Sequence, residues 1–300
     1  MMSDASIETD RPLAHDQALA PLTAAVLRSL EGVADLRTRA LLSAAVAAAH
    51  GVARDLHVQP HELIAAAHFL TRVGQASDDV RKEFVLLSDV LGLTMVADEN
   101  GSIGDGLSFE TSALGPFHRP DSPAIPFGGV LGRPGTDGDP MHISFDVIDV
   151  EGSPVGGAVL DMWLANCEGL YENQDPQQPD MNLRGHMRST DRGEVRLWTV
   201  RPRCYPIPDD GPVGDLLRLA NRHPWRPAHI HVAVNAPGFA PVISALFLAG
   251  DPYLDSDAVF AVKDSLIVDC VPTTELPPGG DTGGFRWSIT HDIVLARQSS

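Results

Sequence analysis

Two histidines separated by one residue, His229 and His231 in the segment RPAHIHVAVN, are the sharpest chemical signal in this sequence. In an extended strand alternate side chains share a face, so the two imidazoles project the same way with backbones about 7 Å apart. That spacing suits two adjacent positions on one metal ion, and it equally suits two ordinary histidines on a polar strand face. No other pair among the twelve histidines has it.

The remaining donors decide which metal such a pair would hold. Zinc usually takes a third His, a Cys or a carboxylate. Cys204 and Cys167 are available, so a zinc hydrolase built on His229, His231 and Cys204 is one reading. Tyr205 follows Cys204 in RPRCYPIPDDGP, and Tyr171 follows Cys167 in ANCEGLYENQ. Two of the three tyrosines thus sit in turn-like segments just after predicted strands. Phenolate is a hard anionic donor, and ferric iron is a hard cation that lowers the phenol pKa and accepts tyrosine as a ligand. The same two tyrosines could instead cap a core through hydrogen-bonded hydroxyls, in a sandwich that binds a ligand or partner without catalysis. Residue types alone leave iron, zinc and no metal open.

The elements that must carry these residues fall into two kinds. From Leu22 to Ala53 apolar residues recur at three and four, among them Val26, Leu30, Val33, Leu36, Leu41 and Val46, which is helical spacing. A second helix is expected from Pro60 to Gly74 and a third over DDVRKEFVLLSDVLGLTMV. Beyond a Gly- and Pro-rich stretch, the short runs HISFDVID, GAVLDMWLAN, EVRLWTV, HIHVAVN, ISALFLAG and WSITHDIVL predict strands. The expected fold class is α+β, a helical region followed by an antiparallel β-sandwich. The expected divisions are a disordered tail over 1–21, helices over 22–98, a linker over 99–140 and the sandwich over 141–300.

Composition narrows the function classes. A formal net charge of −18 argues against a nucleic-acid partner, whose phosphates need a positive face. Three cysteines without a CxxC pair point away from a disulfide framework and toward the reducing cytoplasm. No apolar run is long enough to span a membrane, and the polar, acidic start lacks the features of a signal peptide.

The segment from Pro154 to Asp269 resembles the catalytic domain of the intradiol ring-cleavage dioxygenases. The stretches that carry the likeness are VGGAVLDMWLANCEGLY, NLRG, RPRCYPIPDDGPVG, HPWRPAHIH, NAPGF and AGDPYLDSDAVF, with LLSDVLG and LGPFH upstream. The resemblance implies one Fe(III) per subunit, held by Tyr171, Tyr205, His229 and His231. It implies that Tyr205 is the tyrosinate that leaves the metal and takes up a proton, and that Arg226 lies beside the substrate ring. It further implies a homodimer formed through the N-terminal helices, an interface at which relatives hold a phospholipid.

The substrate expected from this likeness is a small aromatic diol or triol, with O₂ as co-substrate. A diol must lose protons to chelate a metal, so a basic tyrosinate is a suitable acceptor, and an always-charged Arg226 can balance negative charge. Arg226 could alternatively serve only in a structural ion pair. By position in the family, Leu86, Asp89, Ala113, Leu114, Gly115, Pro116 and Phe117 line the pocket, with Ala258 and Val259 nearby. The phrases YPIPDDGPVG, NRHPWRPAHIH and GDPYLDSDAVF resemble most the members that cleave hydroxyquinol, benzene-1,2,4-triol. Catechol and substituted catechols are the nearest alternatives. Asp89 could accept a hydrogen bond from the third hydroxyl, or be a carboxylate on a helix surface. Ala245 departs from the family, where a polar residue is common.

Overall fold

The computed structural model describes residues 20–78, 81–101, 106–280 and 285–298. Most of the expected tail, 1–19, therefore lies outside the described residues, as do 102–105 of the expected linker. The chain forms two compact units, one ending at Phe69 and one beginning at Leu70.

The first unit contains α1 (Pro21–Ser29), α2 (Leu36–Asp55) and the start of α3 (Pro60–Ala76). Proline opens α1 and α3, where a missing N–H costs no helix bond. The periodic run expected as one helix is divided at 30–35, and Asp35 starts α2 by accepting from the Thr38 amide at 2.6 Å. Thr23 ties the two helices together: its buried hydroxyl accepts from Arg54 Nη2 at 2.6 Å and lies 3.0 Å from His50 Nδ1. Within this unit α2 has no buried residue, and Leu36, Leu41, Val52, Leu63 and Ile64 are exposed.

In the second unit α4 (Glu83–Val90) and α5 (Leu93–Gly101) replace the single third helix that periodicity predicts. The break is at Gly92, whose φ of +72° favours glycine. Helix α6 (Pro212–Leu219) was not expected. Glu83, wholly buried, accepts from Arg81 Nε at 2.8 Å and from the Val213 amide in the first turn of α6 at 3.0 Å. One carboxylate thereby fixes α4 against α6 and supplies an anionic cap.

The strands are β1 (Pro140–Asp149), β2 (Val159–Trp163), β3 (Arg184–Arg188), β4 (Glu194–Val200), β5 (Tyr205–Pro206), β6 (Trp225–Arg226), β7 (His229–Asn235), β8 (Val242–Leu248), β9 (Ile267–Val268), β10 (Val271–Pro272) and β11 (Trp287–Leu295). All six apolar runs are strands. β3 escaped notice because RGHMR has no apolar run. One sheet has the order β10-β11-β1-β4 and the other β3-β2-β7-β8-β9, with β5 and β6 forming a separate two-stranded ribbon. The pairing corrects the purely antiparallel expectation: β1 runs parallel to β11, and β8 parallel to β9. Both pairs join strands that are far apart in the chain, and parallel neighbours require such long connections.

Strand β7 lies inside its sheet, between β2 and β8. Ile230, Val232 and Val234 face one way and His229 and His231 the other, and all five are buried. Each aliphatic side chain so buried contributes roughly 1.5–3 kcal/mol to folding, which holds the strand and therefore the histidines. The loop over 106–139 is stitched to the sandwich by backbone bonds such as Ser112 N to Ile243 O and Leu131 N to Trp198 O. Among the described residues, no helix is long and apolar enough to cross a membrane.

Candidate metal centre and substrate pocket

The four donors expected from the sequence converge on one point. His229 Nε2 lies 3.2 Å from His231 Nε2, 3.4 Å from the Tyr205 hydroxyl and 3.5 Å from the Tyr171 hydroxyl. The two hydroxyl oxygens are 3.4 Å apart. Three elements bring them together. Strand β7 carries the histidines, and the β5–β6 ribbon places Tyr205 directly opposite Arg226. Tyr171 sits outside any strand, on the segment that follows β2.

Packing seals this cluster from water. All four donors are buried, with Phe117 stacked on Tyr171 at 4.7 Å and Trp163 stacked on His231 at 4.9 Å. Burial, reinforced by the Arg226 guanidinium, pushes His229 down to about 3. Burial and the neighbouring His229 likewise hold His231 well below the ordinary histidine value. Both imidazoles are therefore neutral at pH 7. His229 Nδ1 lies 2.7 Å from the Pro227 carbonyl, which can only accept, so Nδ1 carries the proton and Nε2 presents its lone pair to the cluster. His231 Nδ1 is buried and has no hydrogen-bond partner among the described residues. Ala245, directly across from His231 on β8, has no polar group to offer it.

Burial raises both phenols, Tyr171 well above the usual tyrosine range with Tyr205 adding to the effect. The Arg226 guanidinium opposes that rise at both rings. A cation among the donors would act far more strongly in the same direction. Separations of 3.2–3.5 Å are those of donors lying about 2 Å from one shared ion. Two phenol oxygens and two neutral imidazole nitrogens thus fit a single first-row metal ion.

Arg226 is buried and held in a fork by Asp257, Nε to Oδ1 at 3.0 Å and Nη2 to Oδ2 at 3.3 Å. The Val259 and Ala261 amides also donate to Asp257. The third nitrogen of Arg226, Nη1, is left to face His229 Nε2 at 3.2 Å. Arg226 is therefore both in a structural ion pair and at the donor cluster. Beside it is a narrow pocket of about 10 Å³, room for about one water. Of the residues expected there, Leu86, Asp89, Ala113, Gly115, Pro116, Phe117, Arg226 and Val259 line it. Leu114 does not and is 38% exposed, while Ala258 lines a neighbouring cleft of about 460 Å³. Asp89 is buried, so it is not a surface carboxylate, and Thr94 donates to its Oδ1 at 2.6 Å.

A family model described as "Catechol dioxygenase N terminus" matches residues 35–101, and one described as "Dioxygenase" matches residues 130–296. The chain belongs to the intradiol ring-cleavage dioxygenase family. It is 39% identical to hydroxyquinol 1,2-dioxygenase of Rhizobium sp. (strain MTP-10005), over 91% of this chain and 93% of the relative. It is 37% identical to catechol 1,2-dioxygenase of Candida albicans, over 93% and 92% respectively. The solved structure of hydroxyquinol 1,2-dioxygenase from Pseudomonas putida DLL-E4 superposes with a TM-score of 0.85 at 39% identity, covering 92% of this chain and 98% of that one.

For an intradiol dioxygenase the implied metal is non-haem iron, and membership overturns the zinc-hydrolase and non-catalytic readings. Cys204 lies with Cys167 along a different cleft of about 300 Å³. Among the described residues, no group of three His, Cys, Asp or Glu side chains could hold a metal.

Several further residues at this site were not expected from the sequence. Ile207 and Pro208 line the pocket immediately after Tyr205, in a phrase that carried the family likeness. Asp257 stands in AGDPYLDSDAVF, which also carried the family likeness. Arg184 stands in NLRG, another stretch of the likeness, and Glu172 had no signal of its own. They form a buried ion pair, Arg184 Nε to Glu172 Oε2 at 2.5 Å, beside Tyr171.

Proposed function

We propose that this dioxygenase opens benzene-1,2,4-triol between its adjacent hydroxyl-bearing carbons, giving 3-hydroxy-cis,cis-muconate. One ferric iron per subunit is held by Tyr171, Tyr205, His229 and His231. The observation that carries the metal assignment is the convergence of these four donors at 3.2–3.5 Å. Both atoms of O₂ end in the two new carboxyl groups.

Iron bound there would chelate the two adjacent oxygens of the diol and make its ring reactive toward O₂. The chain's own residues do the rest. Tyr205 accepts at its phenolic oxygen one of the protons that the diol gives up. Arg226, held by Asp257, keeps a fixed positive charge beside that oxygen and offers Nη1 to negative charge developing on the substrate. Asp89 supports the choice of a triol: this buried carboxylate in the pocket wall, with Thr94 bonded to one oxygen only, can accept from a third hydroxyl a bond that a ring lacking one cannot give. The pocket must widen to admit a ring, and Phe117, Ile207 and Val259 then shield it from water. Assembly of two subunits through the first unit's helices would cover the apolar residues exposed on α2 and α3.

The similarity to the Candida catechol enzyme favours catechol as the second reading. Visible spectra of iron-loaded protein, taken under nitrogen with each substrate, separate the two. A broad charge-transfer band should appear, be altered in Tyr171→Phe, and shift at lower concentration of triol than of catechol. Asp89→Ala should lower the triol-over-catechol ratio of kcat/KM about tenfold or more. A colourless iron-replete protein would sink the metal assignment. A wild-type preference for catechol, or an unchanged ratio in Asp89→Ala, would sink the triol.

A further inference from the structure

Three of the four donors are placed by backbone ladders: His229 and His231 by β7, Tyr205 by the β5–β6 ribbon. Tyr171 has no ladder. The segment from Tyr171 to Leu183 contains no helix or strand, and it must still hold a phenol oxygen to within a few tenths of an ångström.

What grips that segment is charge. Glu172, the next residue, is buried and receives Arg184 Nε on one oxygen at 2.5 Å and Arg119 Nη1 on the other at 2.5 Å. Arg184 is itself buried, and its Nη2 reaches Asn173 Oδ1 at 3.4 Å. Its guanidinium carbon is 5.8 Å from the centre of the Tyr171 ring, within cation–π range. Arg119 also donates to Asp180 at 2.8 Å, and it stands two residues after Phe117, which stacks on Tyr171. Arg184 belongs to β3, where its register partner is Trp163, the ring stacked on His231. The strand-fixed framework behind the histidines is thus connected through one guanidinium to the loop that carries Tyr171.

The geometry points to Arg184 as a positioning residue for the metal centre, acting through Glu172 to hold Tyr171 in the donor cluster. This rests on the assignment of Tyr171 as an iron ligand. A lysine cannot replace the arginine, because one ammonium does not span Glu172 and Asn173 while lying over the ring. A pair that served folding alone would affect stability without touching the metal's spectrum.

The test uses the full chain loaded with iron, comparing wild type with Tyr171→Phe, Arg184→Lys, Arg184→Met, Glu172→Met and the double variant Arg184→Met/Glu172→Met. Readouts are iron retained against a chelator, visible absorbance per iron, and thermal unfolding of the iron-free protein. Arg184→Lys should retain iron about 10–100-fold more weakly, with charge-transfer absorbance per iron reduced toward that of Tyr171→Phe. The double variant removes both charges, which spares the fold an unpaired buried ion. It should lose no more iron affinity than Glu172→Met alone, because Arg184 acts through Glu172. If Arg184→Met does not fold, Arg184→Lys and the double variant are read against Tyr171→Phe with the same expectations. A colourless wild type, or a Tyr171→Phe variant with an unchanged band, would defeat the assignment of Tyr171. If those controls behave and the Arg184 variants keep wild-type iron retention and spectrum, the positioning role is wrong. Independent, multiplying losses in the double variant would also overturn it.

Discussion

Strand β7 and the Tyr171 segment contribute to the same cluster of donors by different physical means. In β7 the two imidazoles are aimed by a ladder with neighbours on both sides, and the aliphatic residues that hold the strand face away from the metal site. Around Tyr171 no backbone ladder exists, and buried ions, a turn and a stacked ring do the aiming. Tyr171 N donates to Gln174 Oε1 at 3.0 Å and the Gln174 amide returns a bond to the Tyr171 carbonyl at 2.9 Å. A ladder spreads its positional hold over many bonds, so no single side chain is decisive. A loop held by a few polar contacts concentrates it, and each contact becomes a point of failure.

The contrast can be attacked from both sides. The largest effect expected is from His229→Ala, which removes a donor without touching the ladder. Iron should no longer be retained and turnover should fall at least about 1000-fold, with far-UV circular dichroism unchanged. Loss of the β signal along with iron would mean that the strand depends on its histidine after all.

Next comes the pH response of the iron-free protein, measured by urea unfolding. His229 is held near 3 when folded and titrates near 6.5 when unfolded. Between those values the unfolded chain binds the extra proton, so stability is fully present above about 6.5 and falls as pH drops toward 3. Moving from pH 7.5 to 5 should cost roughly 2 kcal/mol from this residue alone. His231 shifts in the same direction. The Tyr171 side of the site contributes nothing to this slope, because its phenols are raised further from neutrality. A profile in His229→Gln shallower than wild type by about that amount, with the remainder due to His231, would locate the slope on β7; an unchanged profile would remove it from His229.

The smallest effect is expected from Phe117→Leu, which keeps apolar contact and loses the stacked ring. About 1 kcal/mol of loop positioning should go, seen as a roughly fivefold faster loss of iron to a chelator. An effect as large as that of His229→Ala would show that Phe117, and not the ion pairs, dominates the hold on Tyr171.

Much of this was legible in the sequence, for reasons that can be named. The strands appeared because apolar residues cluster in short runs, and the HxH pair stood out because strand alternation is strict. The family phrases gave the tyrosines and most of the pocket wall. Helix boundaries were less legible. Periodicity continues across 30–35 and across Gly92, so one helix and two look alike until the turns are seen. β3 was invisible as an element because its residues are largely polar and charged. Leu114 was misplaced because the loop turns it outward while its neighbours turn in.

By itself, the sequence determined the donor types, their order along the chain and the kind of scaffold that presents them, since those follow from local patterns of a few residues. Only the tertiary structure decided which charges meet. Glu172 finds Arg184 twelve residues on and Arg119 fifty-three residues back, and Arg226 finds Asp257 across thirty-one. Any of the 40 acidic residues could have partnered those arginines as far as composition goes. The choice is made by burial, because a charge removed from water must find its counterion within a few ångströms, and only the folded chain sets that distance.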